Sequence, residues 1–427
     1  MLSYFVWTIG CQMNKAESQR IAGYLNSAGY RPAPSLRKAD LIVLNTCVVR
    51  QSAEDRVLGT LALLKGIKER RPNLSILVTG CFVDSNIGGL KRRFPHIDFF
   101  FKPGAYSELT SWAQMQGIST VKQRVSPYMP SPSPSAFVPI IQGCNNFCSY
   151  CIVPYRRGRE ISRPSEEVIC EVEELARQGV REVTLLGQNV DSYGHDLPDH
   201  PDLADLLAEL NCVDRLARIR FLTNHPKDMS QKLIEAIASL DKVCQHLDLA
   251  VQSGDNDILK AMRRGYTVEQ FRELVRNIRH FVPQISLSTD VIVGFPGETE
   301  EQFEHTLALL RETRFDMVHV AAYSPRPGTI ACRKYEDNVP SAAKKERLNR
   351  IERLQENIAA EINSTYQGQT VEVLVEGKKR GKWYGRTRSD KLVFYEDDLD
   401  QFGQLVRVTI DKASPWALQG KAKHDYQ

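Results

Sequence analysis

The sequence predicts an α/β protein in three parts. These are an N-terminal open parallel-sheet domain over 1–125, a central partial (βα) TIM-like barrel of six units over 136–366, and a small all-β, OB-like module over 367–427. Three observations carry this prediction. Short apolar runs alternate with helical patterns through most of the chain, the mark of βαβ units. A proline- and serine-rich linker over 126–135 interrupts that alternation and suits neither a helix nor a central strand. Beyond a long charged helical pattern over 341–366, only short strands remain.

In the first domain the apolar runs are 4–9, 41–44 and 75–78, with helical patterns over 14–26 and 54–70 between them. Such spacing implies a parallel sheet covered on both faces. After the linker, strands are expected at 137–142, 182–187, 218–223, 246–251, 285–293 and 317–323, with helices such as 165–178 and 268–281 between them. Eight units would need about 250 residues, so six units and an incomplete barrel fit better. In the tail, strands are expected at 370–375, 382–388, 391–395 and 405–411.

Composition narrows the class. With 42% hydrophobic and 25% charged residues over 427 positions, a wholly disordered chain is excluded. No apolar run reaches the ~18 residues of a spanning helix. The opening Met1-Leu2-Ser3-Tyr4-Phe5-Val6-Trp7 reads as a strand without a basic lead, so no secretory leader is expected. The expectation is a soluble, cytoplasmic protein with no membrane association. The net charge is +4, yet residues 1–125 hold seventeen Lys and Arg against eight Asp and Glu. That imbalance suits a polyanionic partner as well as a solvated basic surface.

Ten cysteines are many for a chain expected in a reducing compartment, where grouped thiols suggest metal or redox chemistry. Cys144, Cys148 and Cys151 stand at C-x-x-x-C-x-x-C spacing just after the first barrel strand. Three thiolates are one short of a closed tetrahedral site. A [4Fe–4S] cluster held this way keeps one iron open for a substrate. A zinc site with a distant fourth ligand and a buried apolar trio are the alternatives. Cys11, Cys47 and Cys81 each close one N-terminal strand, and parallel strands end at one sheet edge, where open α/β folds place ligands. Gly10 and Gly80 beside them permit close backbone approach. Cys170, Cys212, Cys244 and Cys332 have no partner spacing and read as ordinary thiols.

The cysteine loop, with Tyr150 before its last cysteine, resembles the radical S-adenosylmethionine (SAM) signature. The three upstream cysteines are similar to those of the methylthiotransferase branch of that superfamily. Further matching segments are Gly10-Cys11-Gln12-Met13-Asn14, Leu44-Asn45-Thr46-Cys47, Val153-Pro154-Tyr155-Arg156-Arg157-Gly158-Arg159-Glu160, Gly187-Gln188-Asn189-Val190, Val251-Gln252-Ser253-Gly254 and Asp290-Val291-Ile292-Val293-Gly294-Phe295-Pro296-Gly297. The tail resembles a TRAM domain. Residues Val48-Val49-Arg50 depart from the usual run after Cys47.

The resemblance implies a radical SAM enzyme of tRNA with two [4Fe–4S] clusters, one on Cys144, Cys148 and Cys151 and an auxiliary one on Cys11, Cys47 and Cys81. The expected reaction is methylthiolation of N(6)-isopentenyladenosine next to the anticodon, with sulfur inserted at adenine carbon 2 and a methyl group transferred. No side chain is expected to act as a catalytic acid or base. SAM is expected to contact Tyr150, Gly187, Gln188, Gln252, Asp290 and Gly294. RNA is expected to contact Arg156, Arg157, Arg159, Arg163, Lys382, Trp383, Arg386 and Arg388, through phosphate pairing and base stacking. An electron donor such as flavodoxin or ferredoxin is implied, and a sulfur donor of unspecified identity. Alternatives are the same chemistry on threonylcarbamoyladenosine or a ribosomal-protein aspartate, and a non-catalytic metal-cluster RNA-binding protein.

Overall fold

The computed structural model describes residues 2–84, 86–116 and 133–423. Most of the expected linker, up to Pro132, lies outside the described residues. The chain packs as two compact units. The first holds the N-terminal residues together with Gln142–Asn145 and Cys151–Ile161; the second holds Asn146–Tyr150, the segment ending at Ile141, and everything from Ser162 onward. Packing therefore differs from the division at the linker: the flanks of the cysteine loop belong to the N-terminal unit.

The first unit is a five-stranded parallel sheet. Its strands are β1 (Ser3–Thr8), β2 (Arg31–Pro32), β3 (Leu41–Thr46), β4 (Ser75–Gly80) and β5 (Phe99–Phe100), in the order β2-β1-β3-β4-β5. Every residue of β3 is buried, as a central strand covered on both faces requires. Alternate residues serve opposite faces. Ile42, Leu44, Ile76 and Val78 pack with Val57, Leu61 and Leu64 of the helix Gln51–Arg70. Leu41, Val43 and Leu77 pack with Ile21 and Leu25 of the helix Gln12–Ser27 and with Leu109 and Trp112 of Tyr106–Met115. The two-residue edge strands β2 and β5 escaped the sequence reading because neither carries a run long enough to show a period.

The second unit begins with β6 (Ser135–Pro139), and the short pieces β7 (Ile141–Gln142) and β8 (Ile161–Ser162) flank the cysteine loop. β9 (Glu182–Leu186), β10 (Arg218–Phe221), β11 (His246–Asp248), β12 (Ser286–Val293) and β13 (Met317–Ala322) follow. β6, β9 and β10 form one parallel sheet and β11, β12 and β13 another. Single parallel bridges, Ile219 to Val243 and Asn224 to Leu249, join them. Six βα units in chain order thus make the expected partial barrel. Two of its helices begin on reciprocal capping boxes, Thr267 with Gln270 and Thr299 with Gln302.

The helix Ser341–Ser364 runs from the barrel to the tail. Its Gln355 donates to the carbonyls of Phe315 and Asp316, and its Asn363 to those of Ser414 and Pro415. The tail is a closed barrel of β14 (Thr370–Lys379), β15 (Lys382–Arg386), β16 (Leu392–Glu396), β17 (Leu405–Ala413) and β18 (Leu418–Ala422), in the order β14-β15-β16-β18-β17. Val373, Val375, Val393, Val408, Ile410 and Leu418 fill it. Arg380 and Gly381, both at positive φ, make its two-residue hairpin. Strand β18 was missed because Leu418 is its one fully buried residue.

Candidate metal centres

Cys11, Cys47 and Cys81 follow β1, β3 and β4, three neighbouring parallel strands, so all three leave the sheet at the same edge. Two glycines make room there. A Cβ on Gly10, at φ +140°, would lie 2.8 Å from the Cys47 Cβ; one on Gly80, at φ +92°, would lie 2.2 Å from the Thr46 carbonyl oxygen. Asn14, fully buried, ties the loops together by donating to the carbonyls of Ile9 (3.1 Å) and Thr46 (2.8 Å). Asn45 returns a bond to the Asn14 carbonyl. Cys47 and Cys81 are buried and Cys11 is exposed. The Cys47 thiol is pushed up to about 11, first by burial and then by Cys81, with Cys11 adding to it. The three sulfurs therefore sit in one another's field. Burial also raises the Cys81 thiol, opposed by Arg157. Buried thiols of this kind ionise readily only against a cation.

The second cysteine set is on a loop whose parts belong to different units, Cys144 and Cys151 to the first and Cys148 to the second. In the first unit, Cys144 donates its N–H to the Gly158 carbonyl (3.2 Å), and Asn145 bonds the Glu160 carboxylate through its N–H (3.0 Å) and side-chain amide (3.1 Å). Gly143, at φ +82°, lies against the Arg159 carbonyl, with no room for a Cβ. In the second unit, Ser149 bonds the carbonyls of Met262 and Ala261. Buried Arg264 donates to the Cys148 sulfur at 3.3 Å, to the Ala250 carbonyl at 2.5 Å and to the Tyr266 hydroxyl at 3.1 Å. The Tyr150 hydroxyl lies 3.5 Å from the same guanidinium.

The residues expected to meet SAM fall at the strand ends. Gly187 follows β9, and a Cβ there would lie 2.4 Å from Ile141 Cγ2; Gln188 is next in the chain. Gln252 holds a left-handed φ of 71° and bridges β12 through backbone bonds with Asp290 and Ile292. Its buried Oε1 has no hydrogen-bond partner among the described residues. Asp290 is half-buried within β12. Gly294 follows the last residue of β12. It donates to the Glu298 carboxylate (2.6 Å), and a Cβ there would lie 2.4 Å from Lys344 Cγ, so the connector helix fills the space beside it.

A polar network that the sequence reading missed surrounds these positions. Asp228 accepts from Asn189 (2.7 Å) and Asn146 (3.2 Å). Asp191 accepts from the Asn224 amide (2.5 Å) and the His225 N–H (2.8 Å). Burial pushes the Asp191 carboxyl up to about 7. Burial, then Arg264 and Lys227, hold His225 neutral. Asn189 Oδ1, Asn224 Oδ1 and His225 Nε2 are buried without hydrogen-bond partners among the described residues. Buried polar atoms are normally satisfied, so this many orphans in one region point to a polar ligand. Asn146 lay in the cysteine loop and Asn189 in the Gly187–Val190 segment that the sequence singled out; the others lie outside every motif.

The basic candidates divide. Arg157 is buried, paired with Glu17 and bonded to the Cys81 sulfur, so it is not a phosphate ligand. Trp383 is buried inside the tail barrel with its Nε1–H on the Asp397 carbonyl, which closes its face to bases. Arg388 holds Gln245 and the Val243 carbonyl, and Arg163 holds the Pro139 carbonyl and Glu171. Arg156 pairs with Asp84, Lys382 with Glu396, and Arg386 with Asp390. Arg159, Lys378, Lys379 and Arg380 are exposed. Half-buried Tyr384 takes the outward place that Trp383 lacks.

Among the described residues no three Cys, His, Asp or Glu side chains converge closely enough to hold one metal ion, as tetrahedral zinc requires. A [4Fe–4S] cluster takes its thiolates on separate irons. The Cys11, Cys47 and Cys81 set, with its glycine cradle, fits that arrangement. The Cys148 side, with its guanidinium and nearby orphaned acceptors, fits a cluster with a polar cosubstrate.

The Radical SAM superfamily matches residues 138–310, the uncharacterized protein family UPF0004 matches 3–102, and the TRAM domain matches 364–423. A tRNA-2-methylthio-N(6)-dimethylallyladenosine synthase of Dehalococcoides mccartyi is 52% identical over 421 residues, covering 99% of this chain and 98% of that one. One of Roseiflexus is 47% identical, covering 98% of this chain and 89% of that one. The radical SAM methyltransferase TsrM of Kitasatospora setae, solved with cobalamin and a [4Fe–4S] cluster, shares the fold at TM-score 0.59 and 15% identity over 77% of each chain. No helix among the described residues is long and apolar enough to cross a membrane. With these relatives matching nearly end to end, the chain is a radical SAM enzyme and belongs to the family of tRNA-2-methylthio-N(6)-dimethylallyladenosine synthases.

Proposed function

We propose that the protein adds a methylthio group at carbon 2 of N(6)-isopentenyladenosine in tRNA, next to the anticodon, in the cytoplasm. The observation that carries this reading is the second cysteine set. A radical SAM loop alone suits many reactions, whereas Cys11, Cys47 and Cys81 at the ends of three adjacent strands add a second centre of the same open kind. When bound, the clusters and SAM would supply the hydrogen-abstracting radical, a place for sulfur transfer and the methyl group, chemistry beyond any side chain.

The chain's own residues bind and orient. Cys144, Cys148 and Cys151 would hold one cluster and Cys11, Cys47 and Cys81 the other, each set leaving one iron for an outside ligand. Arg264 balances thiolate charge at Cys148. Gln252, Asn189 and Asn224 offer buried acceptors to the donor groups of SAM, and Gly187 admits it close to the backbone. Arg159, Lys378, Lys379 and Arg380 face solvent and would meet tRNA phosphates, while Tyr384 stacks. A low-potential donor such as flavodoxin or ferredoxin would deliver the electron.

The test is anaerobic reconstitution with iron and sulfide, then reductant, SAM and isopentenylated tRNA, followed by nucleoside analysis. The methylthiolated nucleoside should appear, and tRNA carrying threonylcarbamoyladenosine should stay unchanged. Unmodified isopentenyladenosine from protein holding about eight irons per chain overturns the reading.

A further inference from the structure

Arg157 stands in a basic run whose neighbours Arg156 and Arg159 are partly or fully exposed, yet it is turned inward. It closes the short helix Val153–Arg157. Its Nε donates to the Cys81 sulfur at 3.3 Å. One terminal nitrogen bonds Glu17 Oε1, and the other bonds Glu17 Oε2 at 3.2 Å and Asn14 Oδ1 at 3.4 Å. The side chains of Arg157 and Glu17 are 3% and 6% exposed. Asn14, which shares the guanidinium, also holds the loops that carry Cys11 and Cys47. A bidentate ion pair is thus built into the wall of the cysteine set, with one arm on a ligand sulfur.

A buried ion pair is an expensive way to fill space. Desolvation consumes much of its attraction, and apolar side chains of equal volume often serve stability as well or better. Its presence here therefore needs another cause, and its geometry supplies one. A charge-assisted N–H on a cluster sulfur fixes the ligand and favours the more negative, reduced state. A carboxylate clamped on the far side of the same guanidinium opposes that effect.

We propose that Arg157 and Glu17 form a positioning and potential-setting pair for the auxiliary centre: Arg157 orients the Cys81 thiolate and raises the centre's reduction potential, and Glu17 holds Arg157 and offsets its charge. This rests on the reading that Cys11, Cys47 and Cys81 hold a cluster. It is separable from the catalysed reaction, because it concerns the centre itself.

The experiment uses the full chain with Cys144, Cys148 and Cys151 replaced by alanine, so that only the auxiliary centre can be loaded. Iron content, the electron paramagnetic resonance of the reduced state and the midpoint potential are compared in this parent and in parents also carrying R157Q, R157K or E17Q. The potential should fall in R157Q, rise in E17Q and stay near the parent in R157K. A pair that only fills space would leave all potentials alike at full iron loading, and that result, or a shift of R157Q and E17Q in the same direction, overturns the proposal. If R157Q loses its iron, the rise in E17Q decides. A parent that takes up no iron overturns the cluster reading and this inference together, whereas loaded protein with unmoved potentials overturns the inference alone.

Discussion

Cys81 and Cys148 meet the same device in different company. Each sulfur accepts a hydrogen bond from a buried guanidinium at 3.3 Å. At Cys81 the guanidinium belongs to Arg157 and is gripped by the Glu17 carboxylate. At Cys148 it belongs to Arg264, which bonds tyrosine hydroxyls and a carbonyl; among the described residues no carboxylate pairs with it. The first cation is neutralised locally and the second is not. A buried cation without a counter-ion favours anions beside it, namely the thiolates and the carboxylate of an amino-acid cosubstrate. On the proposed reading, one centre would receive an anionic ligand and the other would stay near charge balance. Two triads with identical ligands need not have identical chemistry.

The largest test of this division replaces whole triads. Removing Cys144, Cys148 and Cys151 should halve the iron and abolish both SAM cleavage and the methylthiolated nucleoside. Removing Cys11, Cys47 and Cys81 should also halve the iron and abolish the methylthio product, yet leave reductive cleavage of SAM to deoxyadenosine and methionine. Iron analysis and chromatography of the small molecules read both outcomes. Equal loss of cleavage in the two variants would erase the distinction.

A smaller effect comes from the backbone. Gly10→Ala and Gly80→Ala each force a Cβ into occupied space at a positive φ. The left-handed strain alone costs about 1–3 kcal/mol, and the clash adds to it. Both substitutions should lower thermal stability and auxiliary iron while SAM cleavage continues. Gly158→Ala, where no atom lies within 4 Å of the added carbon although φ is +82°, should carry the strain without the clash.

Much of this was legible in the sequence. The long N-terminal strands announce themselves because buried parallel strands are near-continuous apolar runs, whereas barrel strands such as Arg218–Phe221 and His246–Asp248 carry charged residues and show through their regular alternation with helical patterns. The equivalence of Cys11, Cys47 and Cys81 followed from their places at strand ends, since topology sends those ends to one edge. The direction of an arginine was not legible. Arg156, Arg157 and Arg159 look alike in sequence, and only the packing of Val153–Arg157 against the N-terminal sheet unit turns the middle one inward. Arg264 lies over a hundred residues from Cys148 and belongs to no recognisable spacing. Trp383 was read as a stacking face because aromatics beside lysines suit RNA, but alternation in β15 sends it inside and Tyr384 outside.

The smallest effect belongs to the SAM side alone and is a matter of pH. Asp191 lies buried between Asn224 and His225, and burial lifts its carboxyl to about 7 from a usual value near 4. A carboxyl whose folded pKa is raised favours the folded state when protonated. That contribution is fully present below about pH 4 and is lost as pH rises through about 7. The native chain should therefore lose up to a few kcal/mol of unfolding free energy between pH 5 and pH 8 from this group. Asp191→Asn removes the titration: its amide keeps an oxygen for the His225 N–H but turns a donor towards Asn224, whose own amide must rotate to accept it. Urea unfolding across that range should show a constant cost of about 1–3 kcal/mol at low pH that shrinks or reverses by pH 8. A gap between the two chains that stays the same at every pH would mean that Asp191 is already ionised in the fold, and that the SAM side owes its charge balance to Arg264 without help from a protonated neighbour.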